Sequence, residues 1–388
     1  MKKSYLLVSL FLSLLTTDFA YAYPPDNAAV LYYGLMIEFE IPDKVVWEQI
    51  CNLPASSEPA SKEVKAFVEK RKNDFTIPEL EIASEIKYCD WGLDYSKGYS
   101  MRLPGLSQIK NFAFLLLADG AIAAREGDIS TAIKKNLVVR RIAHHRSNDA
   151  TIVPWLMGGG MTAKSNEALR FMLSTYTVNE GVLVKLKEQL LQEPYRPLSV
   201  REPLIGERNL FVCEMPDMTL DRFVSCLHSE AVVKRASIIF ERRDPELIKR
   251  TIKYAERSYD VILSLLDKPY VQAYNGYQKE IQKVDDDSNS GNDEAFLVAQ
   301  FYPAASSIYN IAVRRQTEYN AILNALDVYI IFQKTGKLPE KLDENSYPDC
   351  FSGKPFEYLV TKEGFTLRCR QEDLVAKKVQ EYVFKLPK

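Results

Sequence analysis

The chain has 388 residues, of which 46% are hydrophobic and 26% charged. That length allows two or three domains with a sizeable core, and the composition excludes disordered and fibrous classes. A formal net charge of −2 gives no cationic surface for neutralising phosphates, so nucleic acid is not expected as a partner.

The N-terminus reads as a secretory signal over residues 1–22. Lys2 and Lys3 are its positive region, Tyr5 to Leu15 its apolar stretch, and Ala20-Tyr21-Ala22 its small-x-small cleavage pattern. The apolar stretch covers about half a bilayer core, and no later run is long enough to span. The expectation is a protein cleaved after Ala22, periplasmic or secreted, with no stable membrane span afterwards. Removing Lys2, Lys3 and Asp18 takes the charge from −2 to −3, two positives and one negative being lost.

Helical periodicity then begins. Asp26 or Asn27 caps a helix carrying Ala28, Leu31, Tyr32 and Leu35 at three-to-four spacing. A charged helix is predicted over 58–72, and Pro78 opens a third running towards Tyr88. Residues 89–103 carry Gly, Asp and aromatics without periodicity and read as a loop. Two strong helices follow at 106–125 and 129–146. Gly127 suits the left-handed residue that ends the first, and Asp128 suits the N-cap of the second. This is an αα-hairpin whose turn resembles that of a tetratricopeptide repeat, though no repeat period accompanies it. Further helices are predicted at 163–175, 179–192, 217–241 and 245–267, separated by Pro194, Pro197, Pro203 and Pro216.

The polar, acidic stretch 285–294 reads as a linker or loop, dividing a helical domain (23–284) from a C-terminal segment (295–388). That segment opens with a long helix over 295–335, kinked at Pro303 and ended by Gly336. Short β-rich runs on either side of Lys362-Glu363-Gly364 predict a hairpin. The fold class is therefore mainly α: a multi-helix body with αα-hairpins, then a small α+β segment.

Six cysteines, Cys51, Cys89, Cys213, Cys226, Cys350 and Cys369, fall into three sequence-local couples. In an oxidising compartment the expectation is three disulfides paired in that order. With no C-x-x-C and only His144, His145 and His228, no zinc spacing exists and no metal or cofactor is expected. His144 and His145 point about 100° apart on a helix and cannot chelate together. A thiol–imidazole pair of Cys226 and His228 is the weaker alternative to a disulfide. Gly158 to Ser165 has the spacing of a phosphate loop, but Ala163 stands where the second glycine belongs. A flexible helix break is the preferred reading. An EF-hand count from Asp286 puts Leu297 where the bidentate Glu should be, so calcium is not expected. The best candidates for a binding cluster are Asp90, Trp91 and Asp94, because loops carry function more often than cores.

The C-terminal part carries a resemblance. Tyr329 to Phe332, KTGKLPEKLDE and DCFSGKPFEYLVTKEGFTL resemble the globular part of type II secretion pseudopilins. Gly336, Pro339, Asp349, Phe351, Gly353, Pro355 and Gly364 match the family's turn positions. The resemblance implies a long helix with a β-hairpin packed on it, and a partner in secretion or pilus-type machinery. The chain departs from the family in having a Sec-type signal and a long helical body before that helix, so it looks like a protein that borrows the fold. PPDNAAVLYY, CDWGLDY and AAREGDISTAI are similar to exported bacterial proteins of planctomycete type with a helical body and the same tail, which implies architecture and no activity. The leading reading is a non-enzymatic interaction or scaffold protein of the cell envelope. An exported hydrolase using carboxylates, or a glycan or small-ligand binder, are the alternatives.

Overall fold

The computed structural model describes residues 25–225, 229–242, 244–302 and 305–387. The predicted signal, Cys226, His228 and the Pro303 kink lie outside them. The chain is mainly helical, with a small C-terminal antiparallel sheet. Its helices are α1 (Ala28–Glu38), α2 (Lys44–Asn52), α3 (Lys62–Asn73), α4 (Thr76–Glu85), α5 (Leu106–Arg125), α6 (Ile129–Ser147), α7 (Ile152–Thr175), α8 (Glu180–Leu190), α9 (Arg201–Glu214), α10 (Leu220–Ser225), α11 (Glu230–Glu241), α12 (Pro245–Leu265), α13 (Tyr270–Asn289), α14 (Asp293–Ala299) and α15 (Ala305–Thr335). Among the described residues no helix is long and apolar enough to cross a membrane.

The αα-hairpin forms as its residues dictate. Gly127 takes φ 91°, and the Asp128 amide donates to the Ala123 carbonyl at 2.9 Å, closing α5. The Asp128 carboxylate then accepts from the Thr131 amide at 2.9 Å and caps α6. With α7 these helices make the spine of the molecule. Helices α1 to α4 cover one side of α5 and α6 around Tyr32, Ile50, Leu80 and Phe112. A smaller cluster around Phe211, Phe223 and Phe296 joins α9 to α11, α12 and α14.

The acidic stretch expected as a linker is mostly helix. Residues 285–289 are the last turn of α13, and Asp293 opens α14. Tyr277, Glu280, Val284 and Ser288 are buried at three-to-four spacing, so the helix continues beneath its polar surface. The long helix expected over 295–335 is two, α14 and α15. One core runs from α6 and α7 through α15 to Phe365, Leu367 and Phe384 of the sheet, which ties the body to the tail.

After α15 the chain forms a two-residue ladder, β1 (Pro348–Asp349) with β2 (Lys354–Pro355), and a sheet of β3 (Glu357–Val360), β4 (Gly364–Asp373) and β5 (Lys378–Lys385) in the order β3-β4-β5. The predicted hairpin is β3–β4, with Tyr358 opposite Leu367. The sheet packs on α15 through Tyr329, whose ring meets Phe365 at 5.4 Å and whose hydroxyl donates to the Lys385 carbonyl at 2.7 Å. Buried Asp373 accepts from Asn310 at 3.0 Å and from Arg314 at 2.7 Å, locking β4 to the start of α15.

Candidate functional site

The CDWGLDY loop folds over α1 and the end of α6. Asn27 clasps it, donating from Nδ2 to the Asp90 carbonyl at 2.8 Å and accepting from the Asp90 amide at 2.9 Å. Trp91 is 2% exposed. Its ring stacks on Tyr32 at 5.4 Å, meets Tyr33 edge-on at 5.7 Å and lies 4.8 Å from the Arg146 guanidinium. Its indole nitrogen donates to the His145 carbonyl at 3.0 Å. Asp90 accepts from the Gly92 amide and the Tyr88 hydroxyl, and Asp94 from Ser96 and Lys97, all local contacts that shape the turn. The structure therefore places the three candidates in one loop, with Trp91 in the core and the two carboxylates turned to their own neighbours.

Beneath this loop Arg146 is fully buried and pairs with Asp149 at 2.9 Å. Burial outweighs the arginine and pushes the Asp149 carboxyl up to about 6. His145 sits 3.0 Å from the Tyr32 hydroxyl, and burial holds it down at about 4. His144 faces a different cavity, beside Tyr195 and Arg315. Two other carboxylates are raised by burial: Glu207, which accepts from the Ile152 amide at 3.0 Å, and Glu318, which accepts from Asn166 at 3.0 Å. Glu207 and Glu318 each join one helix to another, whereas Asp149 pairs locally with the end of α6.

The glycine triplet is neither a phosphate loop nor a helix break, for it lies inside α7. A β-carbon on Gly158 would sit 2.3 Å from the Ala143 carbonyl oxygen, so α6 and α7 approach there backbone to backbone. On Gly159 it would sit 1.8 Å from the Arg315 guanidinium carbon. On Gly160 it would meet nothing within 4 Å.

Two of the expected couples, Cys51 with Cys89 and Cys350 with Cys369, are not joined in the structure. Cys51, Cys89, Cys213, Cys350 and Cys369 are all free thiols, and Cys226 lies outside the described residues. Cys51 lines a cavity with Phe114 and Lys164, whereas Cys89 lies within the electrostatic reach of Arg146 and Asp149, so nearness in sequence does not bring that couple together. Burial pushes the Cys89 thiol up to about 12 and Cys350 up to about 11, which suppresses the reactive thiolate. Labelling with a maleimide at neutral pH is expected to modify exposed Cys213 first, and Cys89, Cys350 and Cys369 only after unfolding. Peptide mapping that found Cys369 modified as fast as Cys213 would contradict this packing.

The open concave surface of the spine lies between α5 and α7. Ala113 and Phe114 of α5 face Val153, Leu156, Met157, Gly160 and Met161 of α7 across a groove of about 420 Å³. Val153 is 47% exposed within it. Lys110 and Lys164 stand at its rim; Lys164 pairs with Glu167 at 2.8 Å, while Lys110 has no ion pair among the described residues. A second cavity of about 410 Å³ continues past Phe114 and Lys164 to Cys51 and Ser56. Such a groove, apolar along its length with flexible methionines and a free cation at one edge, accommodates an apolar side chain or chain segment with an anionic neighbour. Sequence reasoning missed it because α7 was expected to begin at 163, which hid the stripe Val153, Met157, Gly160, Lys164 on one helical face. Among the described residues no three His, Cys, Asp or Glu side chains converge as a metal-binding set. No protein-family model, curated protein or solved structure matches the chain.

Proposed function

We propose that the protein is an exported, non-enzymatic interaction protein of the cell envelope, and that the α5–α7 groove is its docking surface. The occupant in this reading is an apolar segment of a partner protein with a carboxylate beside its anchoring side chain. The observation that carries it is the exposed apolar groove with unpaired Lys110 at its edge, since burying an apolar anchor next to a complementary charge supplies both affinity and orientation. The tail belongs to the same reading. A 31-residue helix leading into a sheet packed on Tyr329 is the arrangement expected of a borrowed pseudopilin-type fold. Helices α7, α8 and α13 cover other faces of α15 through contacts such as Lys187 to Asp327 and Tyr270 to Asn310, which speaks for a fixed support rather than a filament stalk.

The test uses a photoreactive residue at position 153, irradiated in the native envelope. A cross-link to one protein, at an apolar segment flanked by Asp or Glu, is the expected result. Gly160→Leu fills open space and improves helix propensity by about 1 kcal/mol, so it should fold and yet abolish the cross-link. Lys110→Glu should weaken capture about tenfold. Cross-links that survive both variants, or that reach only lipid, would overturn the groove as the docking surface.

A further inference from the structure

A second site lies on the opposite side of α7, where α6, α7, α15 and the segment 194–198 line a cavity of about 20 Å³. Its walls carry Arg140, Arg315, Arg196 and His144. Arg140 is 1% exposed. Its Nε donates to Asn136 at 3.2 Å and its Nη2 to Asn166, while Nη1 has no partner. Arg315 lies on the Trp155 ring at 4.4 Å and donates to the carbonyls of Trp155 and Leu156 at 3.3 and 2.9 Å. Neither guanidinium forms an ion pair among the described residues. Glu318 acts on Arg140 through space and is joined to it by hydrogen bonds only through Asn166, and burial shifts Glu318 towards its neutral form. Arg196 and Glu193, on the covering segment, are exposed. His144 contributes a buried Nδ1 that also lacks a partner.

A buried guanidinium without an ion pair, Arg140, set beside a second that is partly buried, Arg315, is costly, because a charge taken out of water loses its hydration. The chain nevertheless builds the site with care. Gly159 is the residue that leaves room for the Arg315 guanidinium. Asn136 orients towards Arg140 by donating to the Ser165 carbonyl at 2.7 Å and accepting from the Ser165 hydroxyl at 2.9 Å. Water alone would fill the space and leave the charge uncompensated. A cavity this size has room for one small sphere, and guanidinium groups on its walls favour an anion over water there.

We infer that this cavity is a binding site for a single monovalent anion of chloride size, held between Arg140 and Arg315 and supported by His144. The anion compensates both guanidinium groups and fixes α15 against α6 and α7. It is independent of the groove and of any partner there.

The protein purified in sodium gluconate and titrated with sodium bromide at constant ionic strength tests the site. Gluconate is too large to enter, so bromide should raise the Tm by about 2 °C or more. Crystals grown in bromide should show one anomalous peak beside Arg140 Nη1. Arg140→Met should remove the bromide-dependent rise, and Arg196→Gln should keep most of it. Equal melting temperatures in gluconate and bromide, or an anomalous map empty at this cavity, would overturn the inference. The peak is read on the unaltered protein, so the result does not depend on Arg140→Met folding.

Discussion

Trp91→Ala is expected to destabilise the protein by about 4 kcal/mol, within the range for truncating a buried tryptophan. The indole stacks on Tyr32, covers the buried Arg146 guanidinium and donates to the His145 carbonyl. Removing it opens a void over a charge and orphans a carbonyl, so two costs add to the lost apolar contact. Trp91→Phe keeps most of the stacking and loses the hydrogen bond, for which about 1–2 kcal/mol is expected. Asp90→Asn and Asp94→Asn, which alter only turn-shaping contacts at the surface, should each stay within about 0.5–1 kcal/mol. Urea denaturation followed by far-UV circular dichroism measures all four. If Trp91→Ala left the midpoint unchanged and instead abolished partner capture, the loop would be a ligand contact and its packing role refuted.

How much of this was legible in the sequence depends on which residues carried the signal. The α5–α6 hairpin could be read because Gly127 and Asp128 mark its turn with local chemistry that tertiary structure reinforces. The β3–β4 hairpin was legible for the same reason. Helix α9 was hidden because Pro203 looked like a breaker, yet it is the third residue of the helix, where its missing amide costs little. The first half of α7 was hidden twice, by Pro154 near its start and by three glycines that lower helix propensity. Packing decides there: Gly158 and Gly159 are needed by Ala143 and Arg315, partners remote in sequence and invisible to periodicity. The groove and the arginine cavity both lie along that hidden half. The candidate loop was found for its aromatic and acidic residues, but burial, which separates a core tryptophan from a binding one, is a tertiary property. Pairing Cys51 with Cys89 by sequence proximity failed similarly, because the two end on different surroundings of the α5–α6 pair.

Asp119 sits in the apolar run FLLLADGAIA, where a lone acid reads equally well as a catalytic group or as a structural one. In the fold it is wholly buried on α5, 2.7 Å from Lys72 of α3 and 2.8 Å from Lys135 of α6. Lys135 reaches on to Glu81 of α4 at 2.5 Å, which also holds Lys134 at 2.5 Å. One carboxylate thus joins three helices, each of its oxygens lies against an ammonium group, and its full burial keeps it out of a substrate's reach. Asp119→Ala is expected to cost about 3–5 kcal/mol, because Lys135, 6% exposed, keeps its charge and loses half of its compensation. Lys135→Met should cost less, since Asp119 retains Lys72, which is partly open to solvent. The double variant Asp119→Ala with Lys135→Met removes both charges of the pair, and it should be more stable than the sum of the two single changes predicts by about 1–3 kcal/mol. Strict additivity in this cycle, measured by urea midpoints, would mean that Asp119 does not key the helices through Lys135. The acid would then have to be reconsidered as a functional group.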